Sequence, residues 1–229
     1  MPTKEDIINT VKETGACCIP DFLSESELQE AREDLDKACA DMGFGDQKSG
    51  ERARLDSPDL LSYPGIERIF NHPETKELAA MFTGDEDPFV QEVVANRYYP
   101  PFPPLDPHMD ENFGLVPPFM RLTWALFLDD TTAESGALCY VPGSHLRNYV
   151  DDAEADKQPP TDDEVEHADY VPIPLTAGTL VLRASDVWHS VKPINHLRRY
   201  LTGSYISRTR LTPWFKKDIE RIITERAAQ

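Results

Sequence analysis

Residues 89–207 contain seven short runs of β-branched and aromatic residues, separated by proline, glycine and aspartate. Such runs favour strands, and no stretch between them has the periodicity of a helix. The predicted strands are Phe89–Tyr99, Met120–Leu128, Ala137–Val141, Tyr170–Ile173, Thr179–Leu182, Val187–Val191 and Arg198–Ser207. This pattern predicts a mainly β fold, either an antiparallel sandwich or a barrel, with helices flanking it.

The helices are predicted in the first third of the chain. Thr3 with Asp6 and Ser24 with Glu27 each have the spacing of a capping box that opens a helix. The four residues Ala16–Ile19, between the two helices, have the character of a short strand.

The remaining segments complete a single predicted domain. Residues 44–60 are polar and are predicted to be a loop, and residues 61–83 allow one or two short helices. A threonine–proline pair at 212–213 is typical of a helix start. The expected domain 1–229 comprises a helical N-terminal part (1–85), a barrel (86–210) and a C-terminal helix (211–229).

The charge of the chain excludes several classes of partner. The 41 acidic and 23 basic side chains give a formal charge of −18, which disfavours binding to nucleic acid or to anionic membranes. Nine of the carboxylates lie in 151–169, where a solvated loop or a mobile lid over the barrel is predicted. A negative exterior favours cationic or zwitterionic substrates at the entrance, or serves only solubility.

Targeting signals are not evident in the sequence. The N-terminus lacks the apolar core of a signal peptide, and the longest nearly apolar stretch, Leu122–Leu128, is too short to span a bilayer. The four cysteines show neither a C-x-x-C pair nor zinc-type spacing. These features predict a soluble protein of the cytoplasm.

A candidate metal site begins at His108 and Asp110. Residues two apart on a strand project to the same face, so these two side chains can hold neighbouring positions on a divalent metal. His189 on a later predicted strand is a suitable third ligand. Two histidines and one carboxylate are the ligand set of non-haem Fe(II) oxygenases. H-x-D alone is a weak signal, and solvated or core residues are the alternative.

Arg198 opens the last predicted strand, where it shares one face with Tyr200, Thr202 and Ser204. A guanidinium that points into a barrel needs an anion, and its planar fork suits a carboxylate. The alternative is that Arg198 and Arg199 are a pair of surface charges.

Taken together, the chain resembles the phytanoyl-CoA dioxygenase-like branch of the Fe(II)/2-oxoglutarate oxygenases. The resemblance covers residues 89–207 and includes the strand-to-helix entry at Pro20–Leu28. The matching stretches are Pro107–Asp110, Trp124–Asp130, Glu134–His145, Ala177–Val181, Trp188–Ser190 and Arg198–Tyr200.

The resemblance implies a double-stranded β-helix, a jelly-roll or cupin-like barrel, with Fe(II) bound by His108, Asp110 and His189. It also implies that Arg198 pairs with the far carboxylate of the cosubstrate 2-oxoglutarate. Arg198 is preferred to Arg199 because the family places this arginine seven residues before an aromatic residue, here Tyr205.

The implied reaction is O2-dependent hydroxylation of an unactivated C–H bond of a small metabolite, with release of succinate and CO2. Halogenases of the superfamily replace the carboxylate ligand by Gly or Ala, so Asp110 implies hydroxylation, or else desaturation or cyclisation. Two other functions stay open: a cupin-type metalloenzyme that needs no 2-oxoacid, and a non-catalytic barrel that binds a ligand. The substrate and the oligomeric state are left undetermined.

The cavity is expected to be lined by alternate residues of two strands. Relatives often carry Trp at position 125, whereas this chain has Trp124 and Ala125, so either the register slips by one or the pocket is roomier. If the register holds, Arg121 and Thr123 face inward, and Arg121 is a candidate for binding an anionic group of the substrate. From the preceding strand either Asn96 or Tyr98, or instead Arg97 and Tyr99, would line the cavity; the tentative set is Arg121, Thr123, Asn96 and Tyr99.

Overall fold

The structure is a computed structural model that describes residues 2–110, 119–148 and 160–209, together with positions 217, 220, 221 and 224. The helices are α1 (Lys4–Thr14), α2 (Glu25–Cys39), α3 (Pro64–Phe70), α4 (Pro73–Thr83), α5 (His145–Asn148) and α6 (Asp162–Glu166). The strands are β1 (Ala16–Ile19), β2 (Arg52–Asp56), β3 (Phe89–Tyr98), β4 (Leu105–His108), β5 (Arg121–Phe127), β6 (Leu138–Tyr140), β7 (Val171–Ile173), β8 (Leu180–Ala184), β9 (His189–Val191) and β10 (Arg198–Ile206).

Two antiparallel sheets form the centre of the molecule. The larger has the strand order β1-β8-β5-β10-β3-β2, and the smaller has the order β4-β9-β6-β7. Apolar side chains of both sheets, including Phe127 and Val191, pack into one cluster between them. The strands thus form the double-stranded β-helix that the resemblance implied, although not as a closed barrel.

Helices α1 to α4 cover the outer face of the six-stranded sheet. Both predicted capping boxes are present, at Thr3 and at Ser24, and they open α1 and α2. Leu122, Trp124 and Leu126 of β5 point toward the helices and join the larger apolar core. No helix within the described part of the chain has the length and apolar character needed to cross a membrane.

Strand β2 is a correction to the sequence analysis, which predicted a loop over residues 44–60. Its five residues pair with β3 at the edge of the large sheet, Arg52 opposite Tyr98. Ala53 and Leu55 are buried in the core on the helix side, whereas Arg52 and Arg54 line the cavity. A strand whose inner face borders a polar cavity lacks the apolar alternation that identifies most strands.

Two predicted segments lie partly outside the described residues. In the acidic segment, residues 151–159 lie outside the described residues. Asp162–Glu166 of the same segment form α6, which begins with a capping box between Thr161 and Glu164. Most of the predicted C-terminal helix also lies outside the described residues.

Candidate active site

A cavity of about 560 Å³ lies between the two sheets. His108, Asp110 and His189 line it near one end of the large sheet, and Arg198 lines it near the other end. Both sheets contribute, because β4 and β9 of the small sheet carry the two histidines and β10 of the large sheet carries Arg198.

The three predicted metal ligands come together. His108 and His189 are directly opposite each other in the β4–β9 pairing, and their ring centroids are 4.1 Å apart. Asp110 follows β4, and its Oδ1 lies 3.5 Å from Nε2 of His189. One donor atom from each of the three residues falls within 4.8 Å of the others. This is the spacing of ligands around one ion.

Backbone carbonyls fix which nitrogen each imidazole presents. Nδ1 of His108 donates to the Asp106 carbonyl at 2.7 Å, and Nδ1 of His189 donates to the Val187 carbonyl at 2.9 Å. In each neutral ring Nε2 is therefore the acceptor, available to a metal. Two imidazoles and one carboxylate suit Fe(II).

The guanidinium of Arg183 contacts two of the three predicted metal ligands. In Arg183, Nη1 donates to Nε2 of His189 at 2.6 Å, and Nη2 donates to Oδ2 of Asp110 at 2.6 Å. The lone pair on Nε2 of His189 would bind a metal ion, so at this atom the guanidinium stands in for the metal. The donor atoms and their orientation fit Fe(II).

The charges of the ligands keep them ready to bind a metal. Burial together with the neighbouring Arg183 lowers the pKa of His189 to about 4, so its imidazole is neutral. Burial alone would raise the pKa of Asp110, but Arg183 and His189 hold that pKa well below its usual range. A metal would meet one carboxylate and neutral imidazole without displacing protons from either residue.

Arg198 is buried in an aromatic pocket at the far end of the cavity. Its guanidinium lies 4.6 Å from the Tyr200 ring centroid and 5.1 Å from that of Phe127, and its Nε donates to the Gly136 carbonyl at 3.0 Å. Nη1 is buried without a hydrogen-bond partner among the described residues. A buried charge with an unused donor needs an anion, and the far carboxylate of 2-oxoglutarate fits that requirement.

The other predicted cavity residues divide into two groups. Arg121 and Thr123 line the cavity. Asn96 is directed to the same side but is not part of the lining, because its Oδ1 accepts from Arg52 at 2.7 Å. Tyr99 was wrong as a cavity residue: Tyr98 faces inward, and Tyr99 follows the strand with its ring beneath the Arg97 guanidinium at 5.2 Å.

The register of β5 resolves the question raised by Trp124. Trp124 packs outward, edge-on against Phe70 with ring centroids 4.8 Å apart, and Ala125 lines the cavity. The register therefore holds, with Ala125 on the cavity side.

Sequence reasoning missed Arg183 and the β2 arginines Arg52 and Arg54, which also line the cavity. Arg183 had a usable signal, since it is the single charge in the strand Leu180–Ala184 and shares a face with Val181.

Comparisons with known proteins agree with this geometry. The sequence profile of the family described as "Phytanoyl-CoA dioxygenase (PhyH)" matches residues 11–195. The chain is 26% identical over 192 residues to methylphosphonate hydroxylase of Gimesia maris, covering 79% of this chain and 71% of that protein.

Solved structures share the fold. The chain superposes on AviO1 from Streptomyces viridochromogenes with a TM-score of 0.73 at 16% identity, covering 93% of this chain and 98% of the other. It superposes on HygX from Streptomyces hygroscopicus, solved with nickel and 2-oxoglutarate bound, with a TM-score of 0.69 at 16% identity, covering 90% and 88%. At these identities the likeness shows a common fold.

Proposed function

The chain belongs to the phytanoyl-CoA dioxygenase family and is a non-haem iron dioxygenase dependent on 2-oxoglutarate, and on that premise we propose that it hydroxylates an unactivated C–H bond of a small metabolite. The co-products are succinate and CO2. Iron and 2-oxoglutarate, when bound, activate O2 to oxidise the C–H bond.

The residues of the chain bind and orient these reactants. His108, Asp110 and His189 would hold the iron from one side and leave the remaining positions open to 2-oxoglutarate and O2. Arg198, at the far end of the cavity, would bind the distal carboxylate and so set the direction in which 2-oxoglutarate extends toward the iron.

The observation that supports this function over a metalloenzyme without a 2-oxoacid is the buried Nη1 of Arg198. It has no hydrogen-bond partner among the described residues, and Arg198 is 2% exposed. A barrel without an anionic cosubstrate would leave this charge uncompensated. An intact metal-ligand set likewise supports turnover over simple ligand binding.

The cavity supports a small substrate. Its volume of about 560 Å³ is shared between the cosubstrate and the substrate, and small-molecule sites commonly span roughly 300–1,000 Å³. The name of the Gimesia maris relative, methylphosphonate hydroxylase, is consistent with a small substrate and with hydroxylation. A cytoplasmic location stays a prediction.

The test is turnover coupled to a screen of small metabolites. The protein, Fe(II), 2-oxoglutarate and O2 should release succinate in step with a product about 16 mass units heavier than the substrate, the mass of one oxygen atom. His108→Ala should abolish release, whereas His72→Gln, at a histidine packed on Phe22 on the helix side, should retain it.

Other outcomes identify the alternatives. A product lighter by two hydrogens would indicate desaturation or cyclisation and would contradict hydroxylation. Turnover of a metabolite without 2-oxoglutarate would support the cupin-type enzyme, and ligand binding without any turnover would support the non-catalytic barrel.

A further inference from the structure

We propose that Arg183 and Arg121 form an anion-binding subsite beside the metal ligands, and that the substrate is a small organic anion whose headgroup, a phosphonate-like dianion, pairs with them. This inference rests on the proposed function and names its substrate class. The name "anion subsite" is used below for Arg183 and Arg121 together.

Arg183 lies at the metal ligands and is mostly buried. Its side chain is 12% exposed, and its two terminal nitrogens donate to His189 and Asp110. A metal bound through Nε2 of His189 uses the lone pair that accepts from Nη1. Nη1 must then find another acceptor inside the cavity, while Nη2 retains Oδ2 of Asp110.

Arg121 completes the subsite from the neighbouring strand. Thr123 is directly opposite Arg183 in the β5–β8 pairing, and Arg121 lies two residues along on the same face. Its Nη2 is held by Oγ of Ser204 and by Oε2 of Glu92, both at 3.0 Å. These contacts fix the direction of the guanidinium at the border of the cavity.

A neutral donor lies next to the two arginines. Thr123 has a buried hydroxyl oxygen with no hydrogen-bond partner among the described residues, and the residue lines the cavity. A tetrahedral anion offers several acceptors, so it can satisfy both guanidinium groups and this hydroxyl together.

The charge of the cavity favours an anion. Its described lining contains five arginines and three acidic residues, a formal charge of +2, in a chain whose total is −18. Fe(II) and the 2-oxoglutarate dianion cancel each other, and Arg54 pairs with Asp56 outside the lining at 3.3 Å, so about one positive charge remains. The lining residues are Arg52, Arg54, Arg121, Arg183, Arg198, Glu92, Asp106 and Asp110.

The far carboxylate of 2-oxoglutarate does not reach the anion subsite when it is bound at Arg198. Ser204, which holds Arg121, is six residues from Arg198 along β10, a distance of about 20 Å at roughly 3.4 Å per residue. A five-carbon diacid is much shorter, so a 2-oxoglutarate held at Arg198 would not reach Arg121, although its near end would lie at the iron, beside Arg183.

This inference replaces the expectation that the acidic exterior selects cationic or zwitterionic substrates. The acidic surface and the cationic cavity are separate features of the same chain. The Gimesia maris relative, named for methylphosphonate, is consistent with a small anion.

The test is run at a pH above the second pKa of methylphosphonate and measures binding of three small tetrahedral compounds that then carry two, one and no negative charges: methylphosphonate, methanesulfonate and dimethyl sulfone. Isothermal titration calorimetry is performed without oxygen on the enzyme with Fe(II) and 2-oxoglutarate. We expect affinity to fall in that order. Arg183→Gln and Arg121→Gln should each weaken methylphosphonate binding at least about tenfold.

Two controls separate the subsite from general charge and from folding. Arg68→Gln removes an equal charge from the surface pair with Glu30 and should change the affinity less than about twofold. Arg183→Lys keeps the charge but not the planar fork, so it should bind more tightly than Arg183→Gln and less tightly than the native protein.

The inference is overturned if none of the anions binds, if the neutral sulfone binds as well as methylphosphonate, or if neither glutamine variant weakens binding. The proposed function is judged separately, by succinate release and by formation of the Fe(II)–2-oxoglutarate complex. An enzyme that forms this complex but shows no charge-dependent binding retains the function and loses the subsite.

Discussion

Arg198 and Arg199 are adjacent in β10 but lie on opposite faces of the six-stranded sheet. Arg198 lines the cavity. Arg199 points toward α2, where it donates to Oδ1 of Asp129 and Oδ2 of Asp36, both at 2.8 Å. The two arginines therefore have different roles because they lie on opposite faces of the strand. Arg198 faces the cavity, and Arg199 connects α2 to the sheet through Asp36.

Arg198→Gln should raise the KM for 2-oxoglutarate at least about tenfold, because a charge-assisted contact to its far carboxylate is lost. Steady-state kinetics with varied 2-oxoglutarate measures this effect, and Fe(II) affinity should stay unchanged.

Arg199→Gln is the matched control. It should lower the free energy of unfolding by about 1–3 kcal/mol, since Asp129 would lose a partly buried, charge-assisted partner, and leave that KM near the native value. The reverse pattern, in which only Arg199→Gln alters the KM for 2-oxoglutarate, would contradict the assignment of the far carboxylate to Arg198.

Gly203→Ala should destabilise the protein by about 1–3 kcal/mol. A Cβ at this position would lie 2.8 Å from Cζ2 of Trp124 and 2.9 Å from the Glu92 carbonyl, so the indole or the strand would have to move. Urea denaturation measures the change. Gly45→Ala, where the nearest atom is 3.4 Å away, should have a much smaller effect, and equal effects would argue against the packing of Trp124 described here.

Asp85→Asn should cost about 2 kcal/mol at neutral pH. The buried carboxylate accepts from the backbone N–H groups of Arg208 at 2.6 Å and Thr209 at 3.2 Å, and from the Ser207 hydroxyl at 3.1 Å. It thereby joins the end of β10 to the segment after α4.

The cost of Asp85→Asn should depend on pH. Burial alone would raise the pKa of Asp85, but its hydrogen bonds lower that pKa below 3.8. A lowered pKa contributes stability above the unfolded-state pKa, and this contribution is lost as pH falls through the folded-state value. The stability difference between native protein and variant should therefore shrink below about pH 4. A difference that grows on acidification would contradict the assignment.

The face on which each strand residue of the site lies could be predicted, because side chains alternate between the two faces along a strand. The inward set of β5 follows from parity once one of its residues is placed, whereas the choice of Arg198 over Arg199 came from the family's spacing to Tyr205. For β3, parity left two solutions, and the choice of Tyr99 failed because the sequence does not show which face of β3 meets the helices.

The β2 strand and Arg183 escaped prediction for a shared physical reason. The inner face of the six-stranded sheet borders a polar cavity. Side chains on this face therefore include arginines at positions where a sheet packed on a core would carry apolar residues. Arg52 and Arg54 made β2 resemble a loop, and the contact of Arg183 with Asp110 depends on the pairing of β8 with β5, which local sequence does not contain.

The most direct test of the central claim is the visible charge-transfer band of the Fe(II)–2-oxoglutarate complex, recorded without oxygen. The native protein should develop the band when both are added, His108→Ala should develop little or none, and Arg198→Gln should need at least about tenfold more 2-oxoglutarate to reach half of it. A native protein that binds Fe(II) yet never develops the band would contradict the assignment of this cavity to 2-oxoglutarate-dependent chemistry.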